Sequence, residues 1–178
     1  METCYKDFLS NITNSDKIGL LLWKVYNLWQ RELKKALVEL DITHSQFLLL
    51  GATLWGNHCQ AEVTQKSLSD KTGIDPMTTS TVLRTLQKKG WIKRKFSKKD
   101  TRTRLISLTE NGKKIVESAT KELKKFNDSF FGPLKEQRGQ FQENLFILLM
   151  TDEHIKEEFK KYYYDDKFKE SILITEKS

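Results

Sequence analysis

The sequence predicts a mainly α-helical fold with one small β-hairpin, and three observations predict it. Long amphipathic stretches occupy residues 18–40 and 109–154. Between them two short helical segments meet at Thr72-Gly73, a tight glycine turn. Directly after the second segment, two strand-like runs flank the polar loop 97–103. Together these outline a winged helix-turn-helix with a hairpin wing, flanked by a helical region built from the N- and C-terminal helices.

Each element has a local reason. Residues 18–40 place Ile18, Leu21, Leu22, Val25, Leu28, Trp29, Leu33, Ala36, Leu37 and Leu40 at three-to-four spacing, a face too broad for one neighbour to cover. Thr43 and Gln46 form a capping-box pattern that opens a helix over Phe47–Trp55, and Gly56-Asn57 is expected to end it. After an extended stretch at 61–63, Thr64 caps a helix running to Lys71 with Leu68 inward. Asp75 as N-cap and Pro76 as first helical residue start the next helix, which is expected to reach Lys89 with Val82, Leu83 and Leu86 inward. Gly90 terminates it. Trp91–Phe96 and Arg104–Leu108 read as the hairpin strands, the second turning Ile106 and Leu108 inward. Thr109 caps a helix striped by Ile115, Val116, Ala119, Leu123 and Phe126. Gly132-Pro133 interrupts the pattern, and a final helix is expected from about Pro133 to His154.

The expected organisation is an N-terminal extension (1–17), a single domain (18–154) and a charged tail (155–178). Within the domain, residues 41–108 form the winged lobe, and 18–40 with 109–154 supply the dimerisation helices. At 178 residues the chain is short for two enzymatic domains.

Charge narrows the partner. From Lys88 to Arg104 nine cations stand against the single acid Asp100, while the remainder is close to neutral. Such a run by itself fits any polyanion or a plain solvated hairpin; its place directly after a helix-turn-helix favours double-stranded DNA. No apolar run reaches membrane-spanning length and the N-terminal segment lacks a signal-like core, so no membrane partner and a cytoplasmic location are expected. No phosphate-binding glycine loop, G-x-S-x-G or H-E-x-x-H occurs, so the sequence predicts neither an enzyme nor a cofactor, and the three histidines and two cysteines show no metal-ligand spacing.

The local sequences resemble the MarR family of transcription regulators over roughly residues 18–150. "ITHSQFLLLGATLW" from Ile42 is similar to the family's second helix, and "LQKKGWIKRK" from Leu86 to the end of its recognition helix and first wing strand. "DTRTRLISLTENGKK" from Asp100 resembles its wing tip, returning strand and next helix cap, and is the most specific segment because each part needs the others. The resemblance implies a homodimer that regulates transcription. It also implies release of DNA in response to a small aromatic or lipophilic effector or an oxidant. The tail after Met150 exceeds the usual family length.

On that reading the chemistry divides between helix and wing. In the helix from Pro76, the residues Pro76, Met77, Thr78, Ser80, Thr81 and Arg84 are candidates for bases and phosphates; periodicity turns Thr79 inward. Arg102 at the hairpin tip suits the minor groove, where a planar, weakly hydrated cation enters a narrow negative cleft. Lys93, Arg94, Lys95, Lys98, Lys99 and Arg104 are candidates for phosphate contacts. Asp100, repelled by phosphates, is assigned to shaping the wing. Thr64, Gln65 and Lys66 can hold a phosphate at a helix start, or Thr64 can simply cap it.

Trp23, Tyr26, Trp29 and Phe47 are candidates for an effector pocket or, as plain aromatic stripes, for core and dimer contacts. Cys59, beside His58, and Cys4 are candidates for oxidant sensing or inert thiols. A winged helix used only as a protein-interaction module is the alternative, and it would need a neutral or apolar wing.

Overall fold

The order of elements follows the capping chemistry closely. The computed structural model describes residues 14–59, 61–97, 102–153 and 155–156. Cys4, Lys98, Lys99, Asp100 and His154 lie outside the described residues, as do 1–13 of the expected extension and 157–178 of the expected tail. Helix α1 spans Asn14–Leu37, beginning four residues earlier than apolar spacing suggested, and passes through a 3-10 turn, Val38–Leu40, to Asp41. Helix α2 spans His44–His58 and α3 spans Gln65–Thr72. Helix α4 is Pro76–Lys88; strands β1 (Ile92–Phe96) and β2 (Arg104–Leu108) follow; α5 is Glu110–Phe130. A 3-10 segment, Gly132–Gln137, precedes α6, Arg138–Leu149.

Caps do what the sequence asked of them. The Thr43 and Gln46 box is complete in both directions. At α3, the Thr64 hydroxyl accepts from the Ser67 N–H at 3.1 Å while the Thr64 N–H donates to Ser67 Oγ at 2.9 Å. Asp75 accepts from the Thr78 N–H at 2.9 Å, and Gly73, at φ 65°, closes α3 in the left-handed conformation that glycine adopts without penalty.

Two expectations fail for tertiary reasons. Gly56-Asn57 does not end α2, which continues to His58. Gly56 is instead a packing glycine: a Cβ there would lie 2.4 Å from Val63 Cγ2. Asn57 reaches out of the helix to β2, donating to the Ile106 carbonyl at 3.3 Å and accepting from the Leu108 N–H at 3.1 Å. The final helix starts at Arg138, not near Pro133, because Lys135 takes a non-helical backbone conformation at φ 46°.

The chain divides into two units, Met1–Phe130 and Phe131–Ser178, so the expected single domain spans parts of both. In the first unit one core runs from the C-terminal half of α1 to α5. Leu33, Leu37, Leu49, Leu50, Leu68, Leu83 and Leu86 are fully buried, joined by Ile92, Ile106, Val116, Ala119 and Leu123. The N-terminal half of α1 is different. Ile18, Leu21, Leu22, Trp23, Val25, Tyr26 and Leu28 all remain exposed, an apolar surface larger than scattered hydrophobics account for. In the second unit, α6 likewise exposes Ile147, Leu148 and Leu149. No helix among the described residues is long and apolar enough to cross a membrane.

Candidate nucleic-acid interface

The polar face of α4 is set by what its other face must bury. Thr79, Leu83 and Leu86 enter the core, the Thr79 hydroxyl donating to the Ile74 carbonyl at 3.1 Å. Rotation by the helical period leaves Pro76, Met77, Thr78, Thr81 and Arg84 exposed and Ser80 half-buried. Met77 is 83% exposed, a high value for so apolar a side chain. Arg84 Nη2 donates to Thr81 Oγ1 at 3.2 Å, which orients the guanidinium along the exposed face.

The hairpin sorts its cations by strand alternation. Antiparallel pairing sets Ile92 opposite Leu108, Arg94 opposite Ile106 and Phe96 opposite Arg104. Since Ile92 and Ile106 are buried, Arg94 leaves β1 on the core side, whereas Lys93 and Lys95 leave it on the other and are exposed. The sequence grouped these three cations together; the period of two, with Ile92 as the inward reference, separates them. Arg104 is exposed and lies with its guanidinium carbon 4.9 Å from the centre of the Phe96 ring.

Arg94 opens into a cleft of about 420 Å³ whose lining includes Gln65, Lys66, Arg102 and Arg104. The start of α3 and the base of the wing therefore face one concavity. Thr64 is also at its rim, with its hydroxyl already used as a cap, so the capping role holds for that group. Gln65 makes a long bond to the Pro76 carbonyl, 3.5 Å, that ties α3 to the start of α4. Burial, and the positive charges of Arg104 and Arg84, pull the Arg94 pKa below the ordinary guanidinium range. Hydrogen bonds from Thr78 hold the Asp75 carboxyl below its own range.

The aromatic candidates separate. Trp29 stacks edge-on against His44 at 5.1 Å and meets Phe126 at 6.2 Å, and it packs with Phe47 against the core. Trp23 and Tyr26 are 63% and 55% exposed on the preceding turns of α1. Cys59 is exposed at the C-cap of α2.

Residues 32–119 match the family model for the transcriptional regulator SarA/Rot. The chain is 42% identical over 113 residues to YdcH of Bacillus subtilis, an HTH-type transcriptional regulator, covering 64% of this chain and 77% of that one. It belongs to the MarR family of winged-helix transcription regulators. The organic hydroperoxide resistance transcriptional regulator of Bacillus subtilis is 32% identical over 104 residues, covering 58% of this chain and 68% of that one. Among solved structures, a mutant of MarR from E. coli complexed with operator DNA superposes with a TM-score of 0.65 at 26% identity, covering 75% of this chain and 94% of that one. A MarR-type winged helix is thus the frame for α3, α4 and the β1–β2 hairpin, its wing.

Proposed function

We propose that this MarR-family regulator is a homodimeric repressor that binds a palindromic operator and releases it in response to a small aromatic or lipophilic effector or an oxidant. The observation that carries the DNA contact is the division of α4. Its inner face is locked in the core, and Met77, Thr78, Thr81 and Arg84 stand exposed in the same lobe as a cleft lined by wing arginines. In this reading α4 enters the major groove, with threonine and methionine methyl groups against thymine methyls and Arg84 on a base or phosphate. Arg102 enters the minor groove, and Lys93 and Lys95 grip the backbone. Lys98 and Lys99 extend that grip, and Asp100 shapes the loop.

The dimer is supported by the uncovered apolar half of α1. A two-fold dimer places its half-sites about 10 base pairs, one helical turn, apart. Oxidant response would run through Cys59, which is exposed, and the hydroperoxide-resistance relative supports that branch.

A titration of DNA from upstream of the protein's own gene, repeated across salt concentrations, tests the central claim. The expected result is sequence-selective binding that weakens steeply with salt. Binding that is absent or indifferent to sequence sinks it. Release by hydroperoxide from the Cys59→Ser, Cys4→Ser double variant would remove thiol sensing from the reading.

A further inference from the structure

We infer that the base of the wing is a discrete oxyanion seat, in which Arg94, flanked by Arg104 and Lys66, takes a single phosphate group of bound DNA. This rests on the DNA-binding reading and assigns to one residue a task distinct from that of the surface lysines.

Arg94 Nε and Nη2 are buried and donate to no acceptor. A guanidinium keeps its charge at every accessible pH, and a sheltered one is ordinarily matched by a carboxylate or by carbonyls. Here the neighbours have the same sign: Arg104 is the diagonal neighbour across the hairpin, and Arg84 faces it from α4. Strand alternation forces this arrangement, because Arg94 shares the inward face of β1 with Ile92. Turning to solvent would require the register that buries Ile92 and Ile106 to slip.

The surroundings fit an oxyanion. The cleft reached by Arg94 is lined by the first residues of α3, where the Gln65 and Lys66 N–H groups have no helical acceptor and the helix dipole is positive. An arginine fork presents two parallel donors to one phosphate. Arg94, Arg104 and Lys66 share this lining with no acid among the described residues, and an anion is the group that would satisfy Arg94 there. The seat would be filled by a phosphodiester oxygen of the duplex, and its chemistry also accepts free inorganic phosphate.

Two measurements on the full chain test this together. In a thermal melt at fixed ionic strength, replacing chloride with inorganic phosphate is expected to raise the wild-type Tm and leave Arg94→Gln unmoved. In chloride, Arg94→Gln is expected to melt no lower than wild type, since it removes a charged group two of whose donors are buried and unsatisfied. Should that variant fail to fold, Arg94→Lys keeps the charge without the fork and is expected to lose most of the phosphate shift. In the DNA titration, Arg94→Gln is expected to weaken binding about tenfold to hundredfold and to reduce the salt slope by about one. Lys121→Gln, an exposed cation on α5, serves as the charge-matched control.

Equal phosphate shifts in wild type and Arg94→Gln overturn the seat. A DNA loss no greater than that of Lys121→Gln overturns DNA as its occupant. A chain that binds no DNA yet keeps the Arg94-dependent phosphate shift sinks the regulator reading and supports the seat.

Discussion

Lys89 Nζ, at the C-cap of α4, lies 2.8 Å from the Asp41 carboxylate and also donates to the Asp41 backbone carbonyl. The turn that follows α1 is thereby bound to the end of α4. The two partners are unequal: the Asp41 side chain is 91% exposed, while that of Lys89 is 22% exposed and its ammonium lies 4.5 Å from the Trp91 ring centre. Solvent screens the carboxylate, but the carbonyl and ring contacts act in shelter. Asp41→Asn is therefore expected to cost under about 1 kcal/mol in urea unfolding. Lys89→Met, which loses the carbonyl and ring contacts as well, should cost about 1–2 kcal/mol. Asp41 holds φ 49°, so Asp41→Gly should be less harmful than Asp41→Ala.

Two glycines test close packing at different stiffness. A Cβ on Gly56 would meet the Val63 side chain, which can rotate, and Gly56→Ala is expected to cost about 1–3 kcal/mol. A Cβ on Gly112 would come within 2.0 Å of the Trp91 carbonyl oxygen, a backbone atom that already accepts the Thr109 N–H at 3.0 Å. Gly112→Ala should be the more damaging of the two and should also weaken DNA binding, because relief requires the start of β1 to move.

His44 gives the fold a pH dependence in an accessible range. Burial against Trp29 lowers its pKa from the ordinary 6.5, so the folded protein resists its protonation. Below pH 6.5 the unfolded chain binds a proton that the folded chain does not yet hold. Stability is then fullest above that value and is lost as pH falls, until His44 titrates in the folded state. Thermal melts between pH 7.5 and 5, roughly the histidine window, should show a slope in wild type that His44→Gln flattens.

Leu22, 53% exposed on α1, shares a helical face with Ile18 and Val25. If this face pairs with a second copy, Leu22→Asp buries a charge at the interface. Sedimentation should then show the variant dissociating at concentrations where wild type is dimeric, with helix content intact. A wild-type monomer would end the dimer proposal.

Specificity should divide between Arg102 and Met77. Arg102→Ala is expected to cost about 1–3 kcal/mol on the preferred duplex and less on random DNA. Met77→Ala should lose affinity chiefly on the thymine-bearing duplex and little where thymines are replaced by uracils lacking the methyl group, as competition titrations would show. Equal losses on both duplexes would remove Met77 from base reading.

Most of the fold was legible because its decisive signals are local. Thr43, Thr64 and Asp75 each cap a helix through a residue three positions on, and Gly73 and the stripe from Ile115 to Phe126 act within a turn or two. Gly56-Asn57 misled because its local signature, a helix end, was overridden by Val63 crossing at that point. The Lys89 and Asp41 contact joins residues 48 positions apart and has no spacing to betray it. Arg94 lies between these cases. Its inward direction followed from Ile92 two positions earlier, but a charge in an inward register reads as a surface residue until its neighbours are known.

Asn57 carries a consequence for how the molecule behaves in a crowded cell. Its carboxamide meets Ile106 and Leu108 on β2, and the remaining outward group of Ile106, its N–H, donates to Val63 at 2.8 Å. A side chain and a passing loop thus stand where a further strand would add. A two-stranded ribbon ordinarily offers its margin as a template for other chains. Here that stretch of β2 is already occupied, so this margin of the wing offers no template along which its own kind could polymerise.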